Sequence, residues 1–157
     1  MASRNEGAHD HPQSTAKIGG HPIHPMLVPF PIVCFIGALV ADIAYLKYGW
    51  HGWAVGGRVL LLVGLIMAAL AAVAGLTDFL GEKRIQGSDA IKHAVANVTA
   101  VVLELINLIL RWHNDAAIGK IGIYISVVVV LILLYSGWKG GDLVYKHGMG
   151  VRDSSNA

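Results

Sequence analysis

The chain has 157 residues, 55% of them hydrophobic and 14% charged, and its formal net charge is +2. Soluble domains of this size carry more charge, so the composition favours a membrane protein over a soluble one. The few basic residues border apolar runs and form no patch, which excludes a nucleic-acid-binding protein.

The chain begins with a polar segment, residues 1–19, which has too few hydrophobic residues to form a packed core. We expect this segment to be a disordered tail, and we expect the same of residues 152–157. Residues 20–151 between the two tails are predicted to form a single domain that spans the membrane.

Two histidines, His21 and His24, stand in a proline-rich segment before the first apolar run, in the sequence GHPIHP. Proline fixes its own φ angle and biases the preceding residue away from the helical region, so both histidines should sit on a stiff, extended backbone. Such a backbone can hold metal or haem ligands. Alternatively, the prolines only shape the approach to the membrane, and the histidines bond to the backbone or to lipid headgroups.

Four apolar stretches follow, and each is close to the roughly 20 residues that a helix needs to cross a bilayer. We predict spans at residues 26–48, 57–80, 90–111 and 118–140. A soluble bundle needs a polar face on each helix, whereas residues 121–134 offer water only Tyr124 and Ser126. The predicted fold is therefore an all-α integral membrane four-helix bundle with up-down-up-down topology.

The third span carries a stripe of residues that share one helix face because they follow one another in steps of four and three. They are His93, Asn97, Ala100, Glu104, Asn107 and Arg111. A charge such as Glu104 near the middle of the bilayer is too costly to face lipid, and Asp42 in the first span lies at a matching depth. We expect an intramembrane polar network of Asp42, Asn97, Glu104 and Asn107, with Arg58 reaching in. This network either shares a proton or an ion pair between its carboxyls, or only holds the helices in register.

The predicted topology gathers the candidate ligands at one face of the membrane, because alternate span ends lie on the same side. They are His21, His24, Asp78, His93, Asp142 and His147. Histidines with carboxylates suit zinc, iron, manganese or copper, and a pair of facing histidines suits haem b. Other roles are open as well: His93 can bond to Asp78 or Asp142, and His147 can act as a cation at a helix end before Gly148.

The basic residues suggest the orientation of the chain in the membrane. Seven of them lie on the face that both termini share, at positions 17, 83, 84, 92, 139, 146 and 152, and four lie on the opposite face, at positions 47, 58, 111 and 120. Because cytoplasmic loops carry an excess of lysine and arginine, both termini are predicted to be cytoplasmic.

Two sequence motifs carry a family resemblance. The stretch from Gly20 to Asp42, GHPIHPMLVPFPIVCFIGALVAD, and the ending from Ser136 to Val151, SGWKGGDLVYKHGMGV, resemble the bacterial membrane-protein family catalogued as domain of unknown function 2231. The resemblance implies a four-helix module of the bacterial inner membrane, found alone or joined to Rieske-type or cytochrome c-type redox units. Many relatives carry a further histidine where this chain has Pro29, which weakens any site that needs three ligands from the segment before the first span.

These observations leave three functional hypotheses. The first is a redox-associated module with haem b or a transition metal at the histidine cluster, with redox proteins as partners and Lys83, Arg84 or Lys92 as counter-charges to the propionates. The second is an oligomeric proton or ion transport module that uses the polar stripe. The third is a non-catalytic membrane anchor or assembly subunit. We predict no catalytic residues, because no nucleophile with a neighbouring base and no phosphate-binding glycine loop is present, and whether the chain is an enzyme stays open.

Overall fold

The structure is a computed structural model, and it describes residues 11–149. Residues 1–10 of the predicted N-terminal tail and the C-terminal tail predicted at residues 152–157 lie outside the described residues. Within them the backbone forms five α-helices, one 3₁₀ turn, one π-helical turn and one short hairpin of two strands. The bounds are β1 Lys17–Ile18, β2 His21–Pro22, α1 Ile23–Leu27, α2 Pro29–Tyr48, α3 His51–Gly81, the 3₁₀ turn Lys83–Ile85, α4 Ser88–Arg111, the π turn Ile118–Gly122 and α5 Ile123–Tyr145.

Four helical segments are long and apolar enough to cross a membrane: Ile23–Tyr48, His51–Gly81, Ser88–Arg111 and Ile118–Tyr145. The predicted all-α membrane bundle is therefore confirmed. The second and fourth segments are longer than the predicted spans, because polar residues near their ends continue the helix beyond the apolar run. The first segment is divided into α1 and α2 at Val28, just before Pro29, which has no backbone N–H to continue the helical hydrogen bonds.

Short connections make two antiparallel helical hairpins, α2 with α3 and α4 with α5. Helix α2 ends at Gly49, whose φ of +69° is a left-handed value that glycine adopts without strain, and its N–H donates to the carbonyl of Tyr45. Helix α5 ends before Gly148, at φ +65°, as the sequence predicted. The hairpins pack side by side, so that α2 contacts α3 and α5, and α4 contacts the same two helices.

Small residues on the facing sides let the four helices approach closely. The buried apolar cluster contains Phe35, Ala38, Leu61, Ala68, Ala100, Leu108 and Val129. A Cβ on Gly64 would come within 2.6 Å of the Phe35 ring, so only glycine fits at that crossing. Large apolar side chains such as Val40 and Leu131 point outward, as expected of helices in contact with lipid tails.

Residues 11–19 differ from the expected disordered tail. Lys17 and Ile18 pair with His21 and Pro22 in the two-stranded hairpin, and Ser14 is 4% exposed. The reason is a specific anchor at the end of α3, where the Asp78 carboxylate accepts hydrogen bonds from this segment. Polar composition alone does not reveal such an anchor, because it depends on one side chain more than 60 residues away.

Candidate functional site

His24 is held in α1 by contacts with α3. Its Nδ1 lies 2.8 Å from the carbonyl oxygen of Ala71, which can only accept, so Nδ1 carries the proton and Nε2 carries the lone pair. The ring lies against Gly75, where a Cβ would come within 2.9 Å of it. Nε2 has no hydrogen-bond partner among residues 11–149. His24 therefore offers a free ligand atom on a ring whose orientation is set by the backbone.

His93 in α4 is held by α5 in the same manner. Its Nδ1 lies 2.9 Å from the carbonyl oxygen of Ser136, and its ring lies against Gly140, where a Cβ would come within 3.1 Å. By the same reasoning Nδ1 carries the proton, and Nε2 accepts a hydrogen bond from the side-chain amide of Asn97 at 3.0 Å. The Nε2 lone pair of His93 is thus hydrogen-bonded to the side-chain amide of Asn97.

The two histidines face each other across the bundle, with ring centroids 6.3 Å apart and ring planes at 89°. In each half of the bundle a histidine near the start of the first membrane-spanning segment bonds to a backbone carbonyl of the second segment, and this carbonyl lies four residues before a glycine. His93 follows His24 by 69 residues, and Gly140 follows Gly75 by 65. The two hairpins therefore repeat one local design. We call His24 and His93 the histidine pair.

The other four predicted ligands lie at the same end of the bundle but have different partners. His21 is exposed in β2. Asp78 accepts from the backbone N–H groups of Thr15 and Ala16, each at 2.8 Å, and from the Ser14 hydroxyl at 2.8 Å. In the part of the chain that the structure describes, no three histidines, cysteines or carboxylates are grouped so that they could hold a metal ion.

Asp142 and His147 belong to a cluster of charged groups at this end of the bundle, in which Asp142 is buried and His147 is exposed. Lys139 bonds to Asp89 at 3.1 Å and to Asp142 at 3.0 Å, while Lys146 pairs with Asp142 at 2.8 Å and His147 lies 3.4 Å from Asp89. The lysines offset the negative charge of Asp142 near the end of α5, where the helix dipole opposes it. Asp142 is therefore neutralised by lysines in this structure.

One of the three predicted counter-charges is already paired. Arg84 donates to Glu82 from Nε at 3.0 Å and from Nη2 at 2.7 Å. The hydrogen bonds from the Arg84 side chain and backbone lower the pKa of Glu82 to about 2. Because Glu82 is ionised at neutral pH, Arg84 has its negative partner within its own loop.

At the opposite end of the bundle, Asp42 and Arg111 form a buried ion pair. Arg111 donates from Nη1 to Oδ1 at 2.5 Å and from Nη2 to Oδ2 at 2.9 Å, and neither residue is more than 1% exposed. This two-point geometry suits a guanidinium and a carboxylate. The guanidinium lies against Gly122 in the π turn, where a Cβ would come within 2.7 Å of Nη2. The π turn and its glycine thus make room for Arg111.

Asn107 and Ser126 connect the ion pair to Glu104. The Asn107 oxygen accepts from Arg111 Nε at 3.1 Å, and its amide donates to Glu104 Oε2 at 2.8 Å and to Ser126 at 3.0 Å. Ser126 donates in turn to Asp42 Oδ2 at 2.9 Å. We call Asp42, Glu104, Asn107, Arg111 and Ser126 the ionic network. Of the predicted members, the structure joins Asp42, Glu104 and Asn107 and places Asn97 beside His93.

Arg58, the arginine expected in the network, faces elsewhere. Its guanidinium bonds to Asp115 in the loop after α4 and to the backbone carbonyl of Arg111. The expectation that Arg58 reaches Asp42 and Glu104 was wrong, because Arg111 lies on the same helix face as Glu104 and Asn107 and occupies that place. Arg111 was already visible in the polar stripe of α4.

The loop contact of Arg58 leads to a prediction about pH. Burial raises the pKa of Asp115, but the hydrogen bonds from Arg58 and His51 outweigh it and leave the pKa below its usual value. A lowered carboxyl pKa stabilises the fold above the unfolded value near 4, and this contribution is lost as the pH falls through the folded pKa. We expect Asp115→Asn to lower the melting temperature at pH 6, and this difference from the wild type to shrink steadily as the pH is lowered from 4 toward 2. A gap between wild type and variant that stays constant over this range would contradict the prediction.

Sequence reasoning missed the groups that orient the histidine pair, namely Ala71, Gly75, Ser136 and Gly140. A carbonyl gives no signal in a sequence, and the two glycines resembled ordinary packing residues. The signal that could have found them is the repeat itself, since each glycine stands at a corresponding place in the second helix of its hairpin.

Comparison with known proteins places the chain in a family. The sequence model of the family described as "Predicted membrane protein (DUF2231)" matches residues 20–153. No curated protein and no solved structure matches the chain. The matched region includes all four spans, the histidine pair and the ionic network.

Proposed function

We propose that this chain, which belongs to the DUF2231 family of predicted membrane proteins, binds haem b between His24 and His93. The observation that carries the proposal is the pair of facing imidazoles, each with Nδ1 bonded to a backbone carbonyl and Nε2 left as the lone-pair atom. Ligating histidines usually have their second nitrogen bonded in this way, because the bond fixes both tautomer and ring orientation.

The distance between the two rings supports the proposal that His24 and His93 bind one metal ion between them. Two bonds from a first-row metal to imidazole nitrogen are about 2.0–2.1 Å each. The two bond lengths, together with the distance from each nitrogen to the centre of its own ring, add up to a separation of the ring centres close to the observed 6.3 Å. Asn97 must move away from Nε2 of His93 for a ligand to bind there.

The number of available ligands favours haem over a bare metal ion. A zinc site in a protein usually has at least three protein ligands, whereas no third histidine, cysteine or carboxylate completes a group here among residues 11–149. A porphyrin supplies four nitrogens of its own, so two histidines complete its iron. Haem b would supply one-electron redox chemistry, and the protein's own part is to fix the two imidazoles and to surround them with apolar helices.

The proposal includes a cellular setting. The chain lies in the bacterial inner membrane with both termini in the cytoplasm, as the excess of basic residues near the termini supports, and exchanges electrons with a redox protein at that face. The histidine pair is then close to the cytoplasmic surface. Asp42 and Arg111 lie 18 residues further along their helical segments, about 27 Å away at the rise of an α-helix.

The test is an absorption spectrum of the full-length protein, purified in mild detergent from cells supplied with iron and a haem precursor. We expect a Soret band in the wild type and its loss in both His24→Ala and His93→Ala. His21→Ala and His147→Ala are matched controls, since both residues lie at the same end of the bundle and neither belongs to the histidine pair; both should keep the band.

Elemental analysis of the same samples separates the alternatives. Bound metal without a Soret band, lost in His93→Ala, would replace haem by a transition metal ion at this pair. Absence of both metal and haem from the wild type would contradict the proposal and favour an anchor or assembly role.

A further inference from the structure

We propose that Glu104 is a proton-binding site in the bundle interior: its carboxyl holds a proton that it exchanges with water at the end of the bundle opposite the histidine pair. This site is independent of haem or metal binding. The observation behind it is Oε1 of Glu104, which has no hydrogen-bond partner in the described chain although the side chain is completely buried. Buried oxygens of ionised carboxylates are normally paired, so a bare one points to the neutral acid.

The balance of charge leads to the same conclusion. The Arg111 guanidinium is bound at two points to Asp42, and among residues 11–149 the only donor to the Glu104 side chain is the neutral amide of Asn107. Of the other helices packed around this site, α3 contributes Arg58, which faces Asp115, and α5 contributes the neutral Ser126. Two carboxyls thus share one cation, and a bound proton on Glu104 makes the buried network neutral.

In the described part of the chain, hydrogen-bonded polar groups lead from Glu104 toward the end of the bundle that carries Arg111. Beyond Arg111, its backbone carbonyl bonds to Arg58, and Arg58 reaches Asp115, which is bonded to His51 at 2.7 Å. The His51 side chain is 69% exposed. Hydrogen-bonding groups therefore extend from the exposed His51 side chain to the residue that ends the ionic network, Arg111.

Toward the histidine pair, the polar stripe of α4 is interrupted. Ala100, between Asn97 and Glu104, belongs to the buried apolar cluster with Phe35 and Leu61. A charge crossing this layer loses its hydration without gaining a partner. Glu104 therefore takes up its proton from one side: release breaks the O–H bond of the carboxyl, passes the proton to water at that end, and leaves a carboxylate beside Asn107.

Infrared spectroscopy of the full-length protein at neutral pH tests the proposal. A protonated carboxylic acid has a C=O stretching band distinct from those of carboxylates. We expect such a band in the wild type, its shift after incubation in D₂O, and its loss in Glu104→Gln. Glu82→Gln is the matched control, because Glu82 lies outside the bundle beside Arg84 and should leave the band unchanged. A wild-type spectrum identical to that of Glu104→Gln in this region would overturn the proposal, and so would a band that does not shift in D₂O.

Stability gives a second measurement. Glutamine resembles the neutral acid in size and charge, so Glu104→Gln should change the unfolding equilibrium constant less than tenfold. If Glu104 were instead a carboxylate that stabilises Arg111, the same change would weaken the fold more than tenfold, and the proposal would fail. The results for Glu104→Gln do not depend on whether the protein binds haem, because His24 and His93 are unchanged in this variant.

Discussion

Replacing Arg111 by methionine is expected to lower the free energy of unfolding by about 3–5 kcal/mol, the usual cost of removing one partner from a buried ion pair. The substitution leaves Asp42 charged and 1% exposed, with Ser126 as its remaining donor. It also removes both donors to the Asn107 oxygen. The measurement is equilibrium unfolding of the purified protein in mixed micelles, with a series of increasing denaturing detergent.

Two further variants separate the ion pair from general damage to the fold. Asp42→Asn combined with Arg111→Met should be more stable than Arg111→Met alone, because the uncompensated charge is gone. Lys146→Met removes an ion pair to Asp142 whose lysine side chain is 63% exposed, and should cost less than about 1 kcal/mol. Strictly additive losses in the double variant would show that Asp42 and Arg111 do not depend on each other.

Replacing Asp78 by alanine is expected to detach the segment before the first span from the end of α3. The carboxylate accepts from the backbone of Thr15 and Ala16, and hydrogen bonds to a charged group contribute about 1.5–3 kcal/mol each. Because about 1.4 kcal/mol corresponds to a factor of ten, the amide hydrogens of Thr15 and Ala16 should exchange with solvent at least about 10-fold faster. Hydrogen exchange followed by mass spectrometry measures this rate.

Asp142→Ala is the matched control for this variant. Asp142 is also an aspartate near the end of a span at the same face, but its partners are Lys139 and Lys146. It should leave the exchange of Thr15 and Ala16 unchanged. Equal acceleration in both variants would mean that Asp78 acts through the general stability of the bundle and not as an anchor.

The positions of the helices were largely predictable, because a membrane span needs a long apolar stretch and the chain has four of them. The structure extends the second span to His51 and the fourth to Tyr145. These extensions include polar residues such as His51 and Asp142, which lie outside the apolar runs. Both side chains are paired, His51 with Asp115 and Asp142 with Lys139.

The candidate sites were predictable to the extent that topology and helix periodicity determine them. Alternating spans bring His24 and His93 to one end, and the stripe of α4 already contained Glu104, Asn107 and Arg111. To decide whether Arg58 or Arg111 is the partner of Asp42, one must know how each helix is rotated about its axis, and the sequence does not give this rotation. Asp78 anchors Ser14 and Thr15, but to predict this one must know the path of a polar segment whose sequence has no periodicity.

The repeated design of the two hairpins extends to the ion pair, since Arg111 follows Asp42 by the same 69 residues that separate His24 from His93. Two identical hairpins assembled around a twofold axis would set aspartate against aspartate, or arginine against arginine, at this place. The like pair of imidazoles is compatible with such a symmetric assembly, whereas the unlike pair is not. The two halves of this chain are therefore complementary and not equivalent at this place, because each supplies the charge that the other lacks.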